Sequence, residues 1–451
     1  MGTVSQAGGG SALGSRVGRL FERPDARFLM FVGGGAFLLR AAMVLLVQRH
    51  NNFAFNDTFF YHSVAAMVAD GKGFATIDGR PFGQWPPGYP FVLSIVYRFF
   101  GTNPLLGEFL NVFLGTAGVL LLYAVADRSL GRVEAKFCAI AMAVMPAQIF
   151  FTDVLMSEPM FVLILLTMLW VLATREPTLQ TAAIVGVVLG VAMLTRGEGP
   201  MMIFMPLAAW WPRIPRRMLI ERLAVAFGVM VLCVAPWTLR NYSTFHRLIP
   251  VSTNFGSTFW AGHNPTANGK QTYPPASLTA QAGPSTGRFY QIDQSKLLQK
   301  DAMNWIKAHP LEDLALIPWR FLGITEGDGG SIYYWVNKTG DGKKPLSHDW
   351  AERMGTIADM GWFVLLTLFV SSLLVFGRSV LKNSVLRAIL AYMTISLFLY
   401  VVILYGQFRY HVPLEPLMML VAAPLVAQLV AIRNRRVSSP AAPTSSAEGS
   451  A

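Results

Sequence analysis

Ten apolar stretches alternate with short polar links along this chain, at about 28–47, 104–125, 137–151, 159–173, 181–195, 200–211, 223–238, 362–376, 389–405 and 412–432. The first is about 20 residues long, enough to cross a ~30 Å hydrocarbon core, and no small-residue cleavage site follows it as in a secretory signal. Segments 181–195 and 200–211 are short and read as a hairpin that need not cross completely; removing both leaves the sidedness of everything downstream unchanged. The pattern predicts an all-α polytopic membrane protein of about ten transmembrane helices.

Two polar segments are long, 48–103 and 239–356, and long loops on a membrane scaffold carry function more often than not. Within them, Asp57 to Ala69 reads as a helix with Asp57 as N-cap and Gly71 and Gly73 after its end. Residues 88–100 and 305–324 are apolar and aromatic enough to lie in the membrane interface. The expected organisation is a basic disordered arm (1–27), a transmembrane module (28–238) holding the first outer loop, a large outer region (239–356), C-terminal spans (357–436) and a Gly/Ser/Ala/Pro tail (437–451).

Composition agrees with lipid as the main solvent: 53% of the 451 residues are hydrophobic and 14% charged. A net charge of +12 could suggest nucleic acid, but the charge is not gathered into an aromatic-laced groove. Instead, 18 of the 37 Lys and Arg fall in the N-terminal arm and in five short segments, the last with Arg433, Arg435 and Arg436. The positive-inside rule makes these cytoplasmic, so both termini lie inside and the two long segments face outward, in a bacterium the periplasmic side of the inner membrane. Cys138 and Cys233 both sit inside apolar stretches and read as small buried hydrophobes.

Candidate chemistry gathers at the outer ends of spans. Asp57 lies a few residues beyond the first span, where a base could meet an amphipathic substrate; it could equally serve only as a helix cap. Glu158 and Asp153 occupy a very short outer link, FFTDVLMSEPMF, that has no Lys or Arg; acids at membrane depth are expensive and mark sites. Arg196, Arg240 and Arg409 break the charge rule at outer span ends, where a planar guanidinium suits a phosphate, although snorkelling to headgroups explains any one of them. QWPPGYP at 84–90 is a stiff turn. No HExxH, P-loop, GxSxG or dinucleotide fingerprint occurs, so a dedicated zinc site is not indicated; a divalent cation between Asp57, Glu158 and a phosphate is left open.

In order, Asp57 and Tyr61 as D-x-x-x-Y, an Ala-rich helix with GKG, PPGYP with Pro87 and Tyr89, Asn111, Ser157–Glu158, LTR at 194–196, PWTLRN at 236–241, STNFGSTFWAGHNPTANG at 252–269 and RYHVPLEP at 409–416 resemble one family. It is the GT-C superfamily of integral-membrane glycosyltransferases, in its bacterial branch similar to protein O-mannosyltransferases and the lipid A aminoarabinose transferase. The chain departs from the family pattern at Thr58, where an acid is common, and at Gly262, His263, Asn264 and Pro265, where relatives commonly read GNNP.

The resemblance implies transfer of a sugar, usually with inversion, from a polyprenyl-phosphate donor to a lipid, glycan or protein acceptor on the outer face. It makes Asp57 the general base and puts Glu158 beside the same pocket. Arg240, Arg409, His411 and Arg196 become the groups for the departing phosphate, with Tyr61, Pro87, Tyr89, His263 and Asn264 in the substrate loops. The rival reading is a transporter or flippase of a lipid-linked sugar, against which stand the lack of an internal repeat and the two large outer segments. A structural subunit would leave Asp57 dispensable.

Overall fold

The computed structural model describes residues 25–47, 56–337 and 346–438; both low-complexity tails, with Arg16, Arg19 and Arg23, lie outside the described residues. The chain is an all-α polytopic membrane protein, and every apolar stretch is helical. Among the described residues six helices are long and apolar enough to cross a membrane, Ala26–Val47, Pro104–Ser129, Arg216–Phe245, His348–Lys382, Ser384–Ile403 and Phe408–Arg435, and three apolar helices are shorter.

In chain order the α-helices are α1 (Ala26–Ala42), α2 (Asn56–Ala69), α3 (Gly88–Phe100), α4 (Pro104–Ser129), α5 (Arg132–Val144), α6 (Pro146–Phe150), α7 (Glu158–Thr174), α8 (Leu179–Thr195) and α9 (Phe204–Trp210). They continue as α10 (Arg216–Phe245), α11 (Phe255–Gly262), α12 (Ala276–Thr279), α13 (Tyr290–Ala308), α14 (Pro310–Ala315), α15 (Ile317–Thr325), α16 (Gly329–Asn337), α17 (His348–Lys382), α18 (Ser384–Phe398) and α19 (Glu415–Ser438). Asn103, Thr178, Ser347 and Asn383 start α4, α8, α17 and α18 by accepting a hydrogen bond from a first-turn amide.

Two stretches expected as continuous are broken, each at proline. The 137–151 run is split between α5 and α6 because Pro146 has no N–H to continue the ladder. The carbonyls left over are met by Arg40, fully buried in α1, which donates to Met142 O (3.0 Å) and Ala143 O (3.2 Å). The 305–324 run breaks into the end of α13, α14 and α15, with Pro310 and Pro318 in the first turns of the last two.

Small residues set the helix spacing. On α8, a Cβ on Gly186 would lie 2.5 Å from Ala226 O, and one on Gly190 would lie 2.5 Å from Cys233 Cβ, so α8 and α10 run in near-backbone contact and Cys233 acts as a small packing residue. Of Gly33, Gly34 and Gly35, only Gly33 faces a packed neighbour, Leu120. The main core joins α1, α4, α5, α7, α8, α18 and α19 through residues such as Leu122, Met142, Phe161, Leu189, Tyr392 and Leu420.

Gly406 ties the long 239–356 region to the end of α18. Its amide donates to Gly269 O (2.8 Å), and a Cβ there would lie 1.9 Å from Arg320 O. Gly406→Ala is expected to cost about 1–3 kcal/mol through overpacking against backbone, read as a lower melting temperature in detergent. An unchanged melting temperature would contradict this contact.

Candidate active site

Asp57 lies in the first turn of α2, one residue inside the helix rather than at its cap. That helix ends at Ala69 and is followed by Gly71 and Gly73, both with positive φ (78° and 75°). Glu158 opens α7, and Arg196 follows the last residue of α8. Arg409 sits in a 3₁₀ turn, Phe408–Tyr410, before the last helix. Four separate parts of the sequence therefore supply one group.

Arg409 joins them. Its Nη1 donates to Asp57 Oδ2 (2.9 Å) and its Nε to Glu158 Oε1 (2.5 Å). The same Glu158 oxygen lies 2.7 Å from Arg196 Nη1, and Arg196 Nε donates to Glu198 Oε1 (2.5 Å). The Glu158 side chain is 1% exposed, whereas Asp57 keeps 26% of its side-chain surface open. The group thus runs from a buried anchor, Glu158, through an arginine fork to a carboxylate that solvent or substrate can reach.

Around it, Tyr61 is buried one turn along α2, its ring edge-on to Tyr89 with centroids 5.2 Å apart. Burial, with the Asp57 carboxylate nearby, pushes the Tyr61 phenol up to about 12, so it stays a neutral donor. Pro87 immediately precedes α3, and a Cβ on Gly88 would lie 2.8 Å from Leu194 O, so the PPGYP turn packs on the end of α8 next to Arg196. Phe60, Phe82 and Trp85 stack beside α2, with 4.9 Å between the Phe60 and Trp85 centroids.

Arg240, His411, His263 and Asn264 make their bonds elsewhere. Arg240 donates to Phe74 O (2.6 Å) and Phe82 O (2.9 Å) and lies 4.8 Å over Trp237, holding the 74–82 loop to α10. Asn264, fully buried, donates to Trp260 O and Thr272 Oγ1 and accepts from Thr266 N. His263 Nε2 donates to Ile403 O (3.0 Å), and its Nδ1 faces Asp313 and Arg320. Asp153 is buried, and desolvation raises its carboxyl well above the usual range. A cavity of about 710 Å³ lined by Leu29, Gly33, Thr116, Asp127, Arg128 and Trp170 shares no residue with the Asp57 group.

His263 makes stability depend on pH. Burial, helped by the Arg320 charge, lowers its pKa below the ordinary value despite Asp313. Between that lowered value and ~6.5 the unfolded chain binds more protons than the native one, so stability is lost as pH falls below about 6.5. His263→Gln is expected to show a smaller drop in melting temperature between pH 7 and pH 5 than wild type; an equal drop would remove His263 from the effect.

No sequence motif marks Arg320 or Asp313. None marks Asp328 either, whose carboxylate lies 3.0 Å from His411 Nε2. Asp328, His411 and Glu415 bring one ligand atom each within 4.8 Å of one another, and all three are buried. The i, i+4 spacing of His411 and Glu415 in RYHVPLEP was a usable hint.

Solved structures share this fold. An archaeal oligosaccharyltransferase, AglB from Archaeoglobus fulgidus in complex with an inhibitory peptide and a dolichol-phosphate, matches with a TM-score of 0.50 at 14% identity, over 92% of this chain and 52% of that one. An oligosaccharyltransferase of Archaeoglobus fulgidus tethered to an acceptor peptide matches with a TM-score of 0.53 at 13% identity, over 94% of this chain and 52% of that one. This chain therefore spans about half the length of the archaeal enzyme. ArnT from Cupriavidus metallidurans bound to undecaprenyl phosphate gives a TM-score of 0.46 at 15% identity, over 92% and 82%. No curated protein matches. At these identities the likeness is one of fold. Residues 84–239 match the family described as dolichyl-phosphate-mannose-protein mannosyltransferase.

Proposed function

We propose that this protein transfers a sugar from a polyprenyl-phosphate donor to an envelope acceptor on the non-cytoplasmic face of the membrane, with Asp57 as general base. The observation that carries the reading is the linked group Asp57–Arg409–Glu158–Arg196, in which a reachable carboxylate is held by an arginine anchored on a buried acid. The family match over 84–239 and the dolichol-phosphate bound by the archaeal enzyme of like fold support a lipid phosphate as part of the ligand.

Asp57 accepts the proton of the acceptor hydroxyl as that oxygen bonds to the anomeric carbon from the side opposite the phosphate. The carbon–oxygen bond to the donor phosphate breaks, and its electron pair leaves on polyprenyl phosphate. Negative charge grows on the phosphate oxygens in that step. Arg409, and Arg196 behind it, have Nη2 groups that make no hydrogen bond among the described residues and can meet this charge more strongly in the transition state than before it. Glu158 fixes both arginines and leaves no role for itself as a proton carrier. Arg240 and His411 are not assigned to the phosphate, since their hydrogen bonds go to backbone and to Asp328.

The test is a transfer assay in nanodiscs with labelled polyprenyl-phosphate sugars and an envelope extract. Label leaving the lipid for an acceptor supports the reading, and the donor that works names the sugar. Label that crosses the bilayer in sealed vesicles while still on its lipid would instead establish a flippase.

A further inference from the structure

His411 and its two acidic neighbours bring hydrogen-bond acceptors together at one buried point. His411 Nδ1 lies 2.6 Å from Ile324 O, and since a carbonyl can only accept, Nδ1 carries the proton. Neutral Nε2 is then a lone pair, yet it lies 3.0 Å from Asp328 Oδ1, another acceptor. Glu415 brings a third acceptor to the same point.

The remaining oxygens make the shortage sharper. Asp328 Oδ2 and Glu415 Oε1 are buried with no hydrogen-bond partner among the described residues, while the Asp328 and Glu415 residues are 1% and 0% exposed. A buried unpaired carboxylate oxygen is costly. Protons alone would have to number two at this buried point, one making His411 an imidazolium toward Asp328 and a second shared between the Asp328 and Glu415 carboxylates. A divalent cation reconciles all three, and against two carboxylates it leaves a buried cluster of zero net charge.

The surroundings match what metal ligands need. A ligating histidine commonly donates its other N–H to a backbone carbonyl, as His411 does to Ile324. Gln148 Nε2 donates to Glu415 Oε2 (2.8 Å) and to Val412 O (2.7 Å), fixing the glutamate. Trp362 lies flat on the His411 ring at 3.7 Å and 8°, while its own N–H goes to Thr325 O. The 3.0 Å Nε2–Oδ1 separation is what two ligands at about 90° show around an ion with bonds of about 2.1 Å.

We infer that Asp328, His411 and Glu415 form a site for one divalent transition-metal ion of the Zn²⁺ or Mn²⁺ kind, as one imidazole and two carboxylates favour. The ion clamps three parts of the chain that are remote in sequence: the turn after α15, the 408–414 turn and the start of α19. Arg409 lies two residues from His411, so the same clamp steadies the turn that carries it. This site is separate from the Asp57 group, and its test does not depend on any transferase activity.

The full chain, purified through a non-histidine tag without chelators, is measured by elemental mass spectrometry and by melting with and without 1,10-phenanthroline. About one Zn or Mn per chain is expected, with a melting temperature lowered by the chelator and restored by added Zn²⁺ or Mn²⁺. In Asp328→Asn/Glu415→Gln the metal is lost and the chelator has no effect. Wild type without stoichiometric metal and without a chelator response would overturn the inference in favour of shared protons. So would metal retained in full by the double variant. The two wild-type measurements decide the matter by themselves where the variant does not fold.

Discussion

Asp57→Asn is expected to reduce sugar transfer by about 10²–10⁴-fold, the range that a positioned general base supplies. The change keeps the side chain's shape and removes its ability to take a proton. Asp57 is the most open member of its group, at 26% of its side-chain surface, and the amide oxygen can still accept from Arg409 Nη1. Its loss should therefore cost little stability, on the scale of partly exposed ion pairs, about 1 kcal/mol or less. Single-turnover rates with a fixed donor, alongside melting curves, separate the two effects. A variant that transfers at the wild-type rate would take Asp57 out of the mechanism; one that is inactive because it is unfolded would make it a structural residue.

Arg409→Ala is expected to damage activity and stability together. Arg409 is the only described link between Asp57 and Glu158, and Glu158 is 1% exposed. Without it, Glu158 keeps Arg196 as a partner, and Arg196 is already shared with Glu198. Two carboxylates would then share one guanidinium, and Asp57 would lose its arginine. Removing one partner of a buried pair typically costs about 3–5 kcal/mol, because the charge left behind is uncompensated. Loss of a donor aimed at developing charge costs a further factor of about 10²–10³ in rate. Arg409→Lys separates these contributions, since an ammonium restores charge without the fork that reaches both acids. Recovery of stability by Lys without recovery of rate is the expected outcome. Full recovery of both would reduce Arg409 to a point charge.

The apolar helices, the all-helical class and most residues of the Asp57 group were legible in the sequence, whereas of about ten expected crossings six helices among the described residues are long and apolar enough to span. Apolar runs long enough for a bilayer admit little but helix, because every backbone group must be satisfied internally. Asp57, Glu158, Arg196 and Arg409 stood out because charge at span ends is costly and therefore rare. The prolines at 146, 310 and 318 were equally visible, yet the apolar pattern ran through them and hid the breaks.

What sequence could not supply was the pairing. Arg240, Arg196 and Arg409 look alike as arginines at span ends, and only packing gives Arg409 and Arg196 to Glu158 while sending Arg240 to the carbonyls of Phe74 and Phe82. His411 sits two residues from Arg409 in one short motif, and the 3₁₀ turn directs it to Asp328, 83 residues away. Hydrophobic periodicity is a local property of the chain, so the sequence by itself determined which segments are helices in lipid. Charge partnership joins residues from separate spans, and only the tertiary structure, by bringing the ends of α2, α7, α8 and the 408–410 turn together, decided which acid meets which base.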